Sequence, residues 1–501
     1  MSLGRPIAEA PLTSLEYQRL PVVNPTGFRE YDVRWRYGPE LNLLGVRALG
    51  LGIGTLIHER GVVPHIVTGH DYRSYSPAIK DALIIGLMAS GCHVHDIGLA
   101  LSPMAYFAQF ALDVPAVAMV TASHNENGWT GVKIGLNRPL TLGPAETARL
   151  RDIVLNAEWV ERAGGTLRHA GGIETAYLQD LAAGGKLGRK LKVVAACGNG
   201  TAGAFAPQAL EAIGCEVIRM DCEVDHGFPR YNPNPEDLVM LRAMSEVVLA
   251  SGADVGFGFD GDGDRCGVVD NEGHEIFADK VGVLLARDMS AAQPGARFVV
   301  DVKSTSLYDT DPVLIRNGAA TEYWKTGHSY MKSRTLESGA VAGFEKSGHY
   351  FLQPPHGRGY DDGLLAAIAI CRMLDRAGAA SIADLYRSLP RTWSTPTMSP
   401  HCADHAKYGV VDRLTARFRA MQAGGVPLAG RRIVDLNTIN GVRITLDEGS
   451  WGLVRASSNK PELVIVCESP QSPDMMRAVF HEIEAALREC PEVGEFNQKI
   501  D

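Results

Sequence analysis

Asp254-Val255-Gly256-Phe257-Gly258-Phe259 runs directly into Asp260-Gly261-Asp262-Gly263-Asp264-Arg265. A short apolar run stops abruptly in a loop of carboxylates and glycines. The apolar half reads as a buried strand, and in open α/β sheets ligands gather beyond the carboxyl ends of the strands. Three carboxylates at alternate positions concentrate charge that attracts a hard divalent cation. The intervening glycines let the backbone turn tightly enough to aim all three together. An EF-hand is excluded, because Arg265 stands at the sixth loop position instead of glycine and Asn271 at the twelfth instead of glutamate. The remaining alternative is an exposed acidic turn.

The same order of elements occurs on either side. Upstream, a strand over 65–68 leads to Ser76-Pro77, a helix start with serine as cap and proline at the first position. Ile79, Leu83 and Leu87 then recur every fourth residue, as on a buried helix face. A strand over 92–97 follows, and a third over 116–120 ends in Thr121-Ala122-Ser123-His124-Asn125. The middle unit has a strand over 192–196, the turn Gly198-Asn199-Gly200, a helix to Ile213 and a strand over 215–220 before the aspartate loop. Downstream, runs over 298–302, 322–324 and 340–344 end in Glu345-Lys346-Ser347-Gly348-His349. Three strand–helix–strand units, each ending in a polar loop, predict three similar α/β domains with mixed, largely parallel sheets. The last ~110 residues read instead as a smaller α+β domain. It has strands over 443–446, 453–455 and 463–467, a helix over 474–488, and a loop over 455–461. The expected domains are 1–167, 168–275, 276–392 and 393–501.

The 501-residue length agrees with three or four domains at roughly 150 residues each. Net charge is −9, which argues against a general nucleic-acid grip and leaves any anionic ligand to local basic pockets. The nine cysteines are scattered with no CxxC pair, as in a reduced, cytoplasmic compartment. Residues 1–11 have no apolar core flanked by positive charge, so no secretory signal is expected. No run reaches the ~18 apolar residues of a membrane span.

Taken singly, the other loops are ambiguous. Ser123 is not in a GxSxG elbow, which disfavours hydrolase chemistry. It has His124 beside it and Lys133 ten residues on, and a serine oxygen can attack phosphorus given a metal and a base. Gly198-Asn199-Gly200-Thr201-Ala202-Gly203 is a literal GxGxxG, with Asp221 ending the next strand, so an NAD-dependent oxidoreductase is the competing reading. It leaves Ser123 and the aspartates unexplained; otherwise the glycines only permit a tight turn. Glu345, Ser347 and His349 offer the donors and acceptors that sugar hydroxyls need. Arg455-Ala456-Ser457-Ser458-Asn459-Lys460 suits a phosphate, with arginine giving forked hydrogen bonds, or else is a solvated hairpin tip.

Together these loops resemble the α-D-phosphohexomutase family, and its phosphomannomutase/phosphoglucomutase branch in particular. The resemblance runs from about Gly27 to about Ala485. It rests on Tyr31-Asp32-Val33-Arg34, Thr121 to Asn125, Asp260 to Arg265, Lys325-Thr326-Gly327-His328, Glu345 to His349, and Trp451-Gly452-Leu453-Val454-Arg455-Ala456-Ser457.

The resemblance implies four domains around a central cleft. It also implies a phosphoserine at Ser123 that interconverts hexose 1-phosphate and hexose 6-phosphate of glucose or mannose through a hexose 1,6-bisphosphate. Magnesium is then expected on Asp260, Asp262, Asp264 and the phosphorylated Ser123. The expected catalytic set is Ser123, Lys133 as base candidate, Arg34, His124, His349 and Arg265. The expected sugar-phosphate contacts are Tyr31, Lys303, His328, Glu345, Ser347, Arg455, Ser457 and Asn459. The expected partner is a small sugar phosphate, with neither nucleic acid nor membrane. Phosphoglucosamine mutase shares the Glu-x-Ser-Gly-His pattern and is the nearest rival; a degenerate mutase kept as a binding protein is the non-enzyme alternative. The sequence departs from the family at Asn232, where histidine is frequent, at Lys346, where methionine is frequent, and at Ser458-Asn459-Lys460.

Overall fold

The computed structural model describes residues 3–497 and 500; the outermost residues of the first and fourth expected domains lie outside them. Three sheets repeat one topology. In the first, Ala116–Val120, His65–His70, His93–Leu99 and Thr166–His169 lie parallel in that order. Trp129–Gly135 returns antiparallel beside Ala116–Val120, and Val33–Arg36 pairs antiparallel at the edge. The second sheet places Val255–Phe259, Lys192–Ala196 and Glu216–Met220 in parallel, with Cys266–Asp270 returning antiparallel. The third does the same with Ala342–Phe344, Arg297–Asp301, Ala320–Trp324 and the returning Tyr350–Leu352.

Each polar loop is therefore the tip of a hairpin between the last parallel strand and an antiparallel return. The sequence reading did not anticipate these return strands. Their first residues are short of the alternation that marks a strand, since both faces are covered: Cys266–Asp270 and Tyr350–Leu352 are buried throughout. The strand Thr166–His169 completes the first sheet, so the first unit runs past residue 167.

The fourth part is an antiparallel sheet in the order Trp393–Ser394, Leu463–Ser469, Trp451–Ala456, Val442–Leu446, Ile433–Asn437. The helices Lys407–Ala423 and Pro473–Arg488 contribute Val410, Leu414, Val479 and Ile483 to its apolar core. One core cluster runs continuously through the first three units, from Val67 through Phe257 to Leu364, which ties their cleft-facing loops to a common frame. No described helix is long and apolar enough to cross a membrane.

Two local expectations need correction. Ser76 does not cap its helix: Ser76–Ala89 has Tyr75 at the cap position, with no side-chain cap bond, and Ser76 Oγ donates to Asp71 Oδ1 at 2.6 Å. The single helix expected to Ile213 is a 3-10 turn, Thr201–Ala204, followed by Ala206–Ala212, with Pro207 in the first turn of the second piece.

Candidate active site

The three hairpin loops and the loop of the fourth sheet meet around one cleft of 520 Å³. Tyr31, Arg34, Ser123, His124, Lys133, Arg265, Lys303, His328, Glu345, Ser347, His349, Arg455, Ser457 and Asn459 all line it. Asp260, Asp262 and Asp264 lie one layer behind, fully buried.

Ser123 has φ +50°, a left-handed conformation that a serine adopts only when its surroundings impose it. Its N–H donates to Thr121 Oγ1 at 2.9 Å, and its carbonyl accepts from Arg73 Nη2 at 3.0 Å. Arg73 also holds the carbonyl of Asn125 at 2.5 Å and is itself paired with Asp71. Asn232, where the family often carries histidine, donates to the carbonyl of His124. The serine loop is thus clamped through its backbone, leaving Oγ to act. That oxygen donates to Asp260 Oδ2 at 2.8 Å and lies 3.3 Å from His124 Nδ1. Burial, with Arg265 next, holds the His124 imidazole well below its ordinary range, so it is neutral.

Asp262 accepts from Ser102 Oγ at 2.5 Å and from Lys133 Nζ at 2.7 Å, and Lys133 also bonds Asp264. Burial works against the Lys133 charge, but Asp262 and Asp264 outweigh it and hold the ammonium well above its ordinary range. Burial and the two neighbouring carboxylates push Asp260 up, a crowding of negative charge that a cation relieves. The ligand oxygens of the three aspartates lie within 4.8 Å of one another. Asp262 Oδ1 is buried without a hydrogen-bond partner, and Asp264 Oδ1 has only His349 Nε2, at 3.5 Å. Hard oxygen donors, one of them orphaned, fit a divalent cation of the magnesium type.

Arg265 lies between serine and sugar loops, with Nε 3.3 Å from His349 Nε2 and Nη1 3.3 Å from Glu236 Oε2. In the third loop, Glu345 accepts from the Gly327 N–H at 2.6 Å and from Ser347 Oγ at 3.0 Å, and pairs with His349 Nδ1 at 2.8 Å. Burial and Arg265 oppose a charge on His349, but Asp264 and Glu345 lift it to about 9. Burial would raise Glu345; the hydrogen-bonded His349 instead pulls it down. His328 is kept neutral, first by burial and then by Lys332. Lys346 turns away from the cleft, with Nζ 4.4 Å from the Phe277 ring centroid and 3.5 Å from Asp279, so this departure does not touch the pocket.

Arg455 donates to Asn440 Oδ1 at 2.8 Å and Ser458 Oγ at 3.3 Å. Asn459 Nδ2 donates to Tyr31 Oη at 3.3 Å, and Arg29 pairs with Asp404 at 3.0 Å. The first and fourth units therefore touch directly across the cleft. Lys407 braces this loop from behind, donating to the carbonyls of Ser457 at 2.5 Å and Lys460 at 3.0 Å.

Several of these residues escaped the sequence reading. Glu236, 3.8 Å from Lys303 and paired with Arg265, lies in an irregular stretch without periodicity. Arg73, Ser102 and Lys332, whose Nζ pairs with the buried Asp361 at 2.7 Å, act from behind the wall, and nothing local in the chain marks them. The GxGxxG glycines prove to be packing positions. Thr201 N–H donates to the Gly261 carbonyl at 3.1 Å, and a Cβ at Gly203 would meet the Cys222 carbonyl oxygen at 2.2 Å. Asp221 is occupied by Arg230 at 3.0 Å and Tyr231 at 2.7 Å. The motif seats one loop on the aspartate loop instead of opening a dinucleotide crevice.

A four-part chain whose hairpin loops bring a clamped serine, an acidic cation site and a sugar-suited loop to one cleft has the architecture of a phosphohexomutase. Three stretches match the domains described as "Phosphoglucomutase/phosphomannomutase, alpha/beta/alpha domain" I, II and III, over residues 25–161, 175–273 and 277–393. The chain belongs to the phosphoglucomutase/phosphomannomutase family. It is 34% identical to a phosphomannomutase/phosphoglucomutase of Pseudomonas putida over 90% of this chain and 93% of that one. It is 31% identical to a phosphoglucomutase of Neisseria gonorrhoeae, covering 88% and 92%. A solved phosphoglucomutase/phosphomannomutase family protein of Burkholderia thailandensis superposes with a TM-score of 0.83, at 28% identity, covering 95% and 100%.

Proposed function

We propose that this chain interconverts the 1-phosphate and 6-phosphate of glucose and mannose, with Ser123 as phosphoryl carrier. The observation that carries this is the placement of Ser123 Oγ. It is held by its strained backbone at the cleft wall, 2.8 Å from Asp260, and faces the sugar loop and Arg455 across a single cavity.

Phosphorylated Ser123 transfers its phosphoryl group to the free hydroxyl of a bound sugar monophosphate. The resulting hexose 1,6-bisphosphate turns over in the cleft and returns its other phosphate to Ser123. Asp260, Asp262, Asp264 and the phosphoserine hold Mg2+, which supplies charge neutralisation of the phosphoryl oxygens when bound. Arg265 and Lys133 stabilise the charge on the moving group, since positioning and electrostatics dominate phosphoryl transfer. Lys133, the base candidate from the resemblance, is held as an ammonium by Asp262 and Asp264 and would accept a proton only once a cation on those carboxylates released it; neutral His124 beside Ser123 is able to accept a proton as the chain stands, and His349, lifted to about 9, is able to donate one. Arg34, fixed by Asp32 at 2.8 Å, and Tyr31 close the wall at the first unit.

Glu345 and Ser347 read sugar hydroxyls, supported by Lys303 and His328. Arg455, Ser457 and Asn459 grip the phosphate that is not reacting. Their hydroxyl and amide groups adapt to a sugar presented in either of two orientations, which a rigid pocket would refuse. The glucosamine phosphate reading is weaker, because the relatives named above are glucose and mannose mutases.

Intact-protein mass spectrometry should find a phosphoryl adduct, mapped to Ser123. Full mutase activity in Ser123→Ala without another carrier would overturn the proposal.

A further inference from the structure

Asn234-Pro235-Glu236-Asp237 leads into the helix Leu238–Ser251 and sets a carboxylate at the cleft wall. Pro235 is buried, and a Cβ at Gly267 of the returning strand would meet the Pro235 Cβ at 2.7 Å, so the stretch is seated on the second sheet. Asn234 Oδ1 accepts from the Glu236 N–H at 3.2 Å, and the Asn234 carbonyl accepts from the Asp237 N–H at 2.9 Å. Asp237 then caps the helix, its Oδ1 accepting from the Val239 N–H at 2.9 Å. Asp237 is thus committed to the helix end, and Glu236 is presented to the cleft from a fixed backbone.

Glu236 meets cations from three units. Arg265 Nη1 donates to its Oε2 at 3.3 Å, and Lys303 Nζ lies 3.8 Å from its Oε1. Among the described residues its carboxylate has no other hydrogen bond or ion pair. Burial opposes its charge, but Lys303, Arg265, His349 and Lys460 outweigh that and hold the carboxyl below its ordinary range. The hold is loose. The pairs Arg34–Asp32 and Lys332–Asp361 close to 2.8 Å and 2.7 Å between buried side chains. Glu236 has longer contacts, and its side chain is 28% exposed. A loosely held carboxylate facing the cations that must also meet a phosphate is in competition with that phosphate, because like charges on shared partners lower the affinity of each.

Resting on the mutase reading above, we propose that Glu236 is a built-in counter-ion, which competes with the sugar phosphate for Arg265 and Lys303 and so keeps the hexose 1,6-bisphosphate loose enough to turn over. Binding an intermediate more tightly does not speed a cycle in which that intermediate must let go and turn. With the cleft empty, Glu236 holds both cations in position. With a phosphate beside them, it draws back part of their charge. It touches the cations and not the reacting atoms, so it is a positioning residue.

The test pairs binding with kinetics. Calorimetry in the Ser123→Ala background, where no transfer to the serine occurs, should find that adding Glu236→Gln tightens glucose 1,6-bisphosphate binding by about 10-fold, the scale of one nearby unit charge at a half-exposed site. With Ser123 intact, Glu236→Gln should lower KM and kcat together, because an intermediate held more tightly turns over more slowly. Glu236→Asp keeps the charge and should return both constants toward the wild type. A contact that only supports the fold would raise KM when lost and leave the bisphosphate bound no more tightly. The counter-ion role is overturned if an active wild type has a Glu236→Gln variant with unchanged or weaker bisphosphate affinity, or with a raised KM. A wild-type chain that converts neither glucose nor mannose phosphates sinks the mutase assignment itself, and the counter-ion role with it.

Discussion

Replacing Lys332 by methionine tests how the charged layer under the cleft is held. Lys332 Nζ stands 2.7 Å from Asp361 Oδ1, and both side chains are 0% exposed. The same ammonium lies 4.0 Å above the Tyr106 ring and 3.5 Å from His328 Nδ1. Methionine keeps the stem as far as Cε and removes the ammonium with its contacts to Asp361 and His328. Asp361 is then a buried carboxylate without its nearest cation, with His349 Nε2 next, at 4.0 Å. Removing one partner of a buried pair costs about 3–5 kcal/mol, most of it the stranded charge. Asp361→Asn removes that charge, so Lys332→Met with Asp361→Asn should regain a large part of the loss.

The expected signature is a coupling of about 2 kcal/mol or more across the double-mutant cycle, beyond the ~0.3–0.5 kcal/mol scatter of independent sites. Calorimetric unfolding of the four proteins measures it. Steady-state kinetics on the same set should give a larger fall in kcat for Lys332→Met than for the double variant, because an unpaired Asp361 pulls on His349. Additive losses, or kcat falling equally in both, would refute the claim that this pair positions the two cleft histidines.

Arg455→Ala should raise KM by roughly 30- to 150-fold, the equivalent of ~2–3 kcal/mol for a lost charged hydrogen bond, and unchanged Michaelis constants would contradict the phosphate grip. Removal of divalent metal by a chelator should abolish turnover and readdition of Mg2+ restore it; activity that persists in excess chelator would remove the metal from the scheme. Glu468 is buried where the third and fourth units join, accepting from Lys280 at 2.9 Å, Trp451 Nε1 at 3.1 Å and Ser306 N–H at 3.0 Å. Burial opposes its charge, but Lys280 and these donors hold its carboxyl far below the ordinary ~4.3. A depressed folded-state value gives stability that is present above the unfolded value and lost as pH falls below it. Glu468→Gln should therefore be less stable than the wild type at pH 7 by scanning calorimetry, with the gap narrowing below about pH 4; a gap independent of pH would refute this.

The sequence by itself determined the repeat. Apolar strands broken by polar loops after 120, 259 and 344 imply three α/β units, because burial on both faces demands continuous apolar runs and a loop after a carboxyl end is where polar residues can face a ligand. It also nominated the polar loops as the site, since Ser123, the alternate aspartates and Glu345 to His349 are chemically conspicuous in the chain. The return strands escaped it because Trp129–Gly135 is broken by Gly131 and Lys133, Cys266–Asp270 by Gly267, and Tyr350–Leu352 is too short to show a pattern. Ser76 was misread because a serine before proline looks the same whether it caps a helix or serves Asp71.

Only the tertiary structure decided how the loops meet. Ser123 and Asp260 are 137 positions apart and share a 2.8 Å hydrogen bond. Asn459 reaches Tyr31 across 428 positions. Such contacts depend on how whole sheets pack, and no local pattern encodes that. The same holds for GxGxxG, whose glycines admit a dinucleotide or a neighbouring backbone equally well until Gly261 is seen to occupy the space. It holds too for Lys332 and Asp361, two ordinary charges in sequence that become a pair only where folding has excluded water from both.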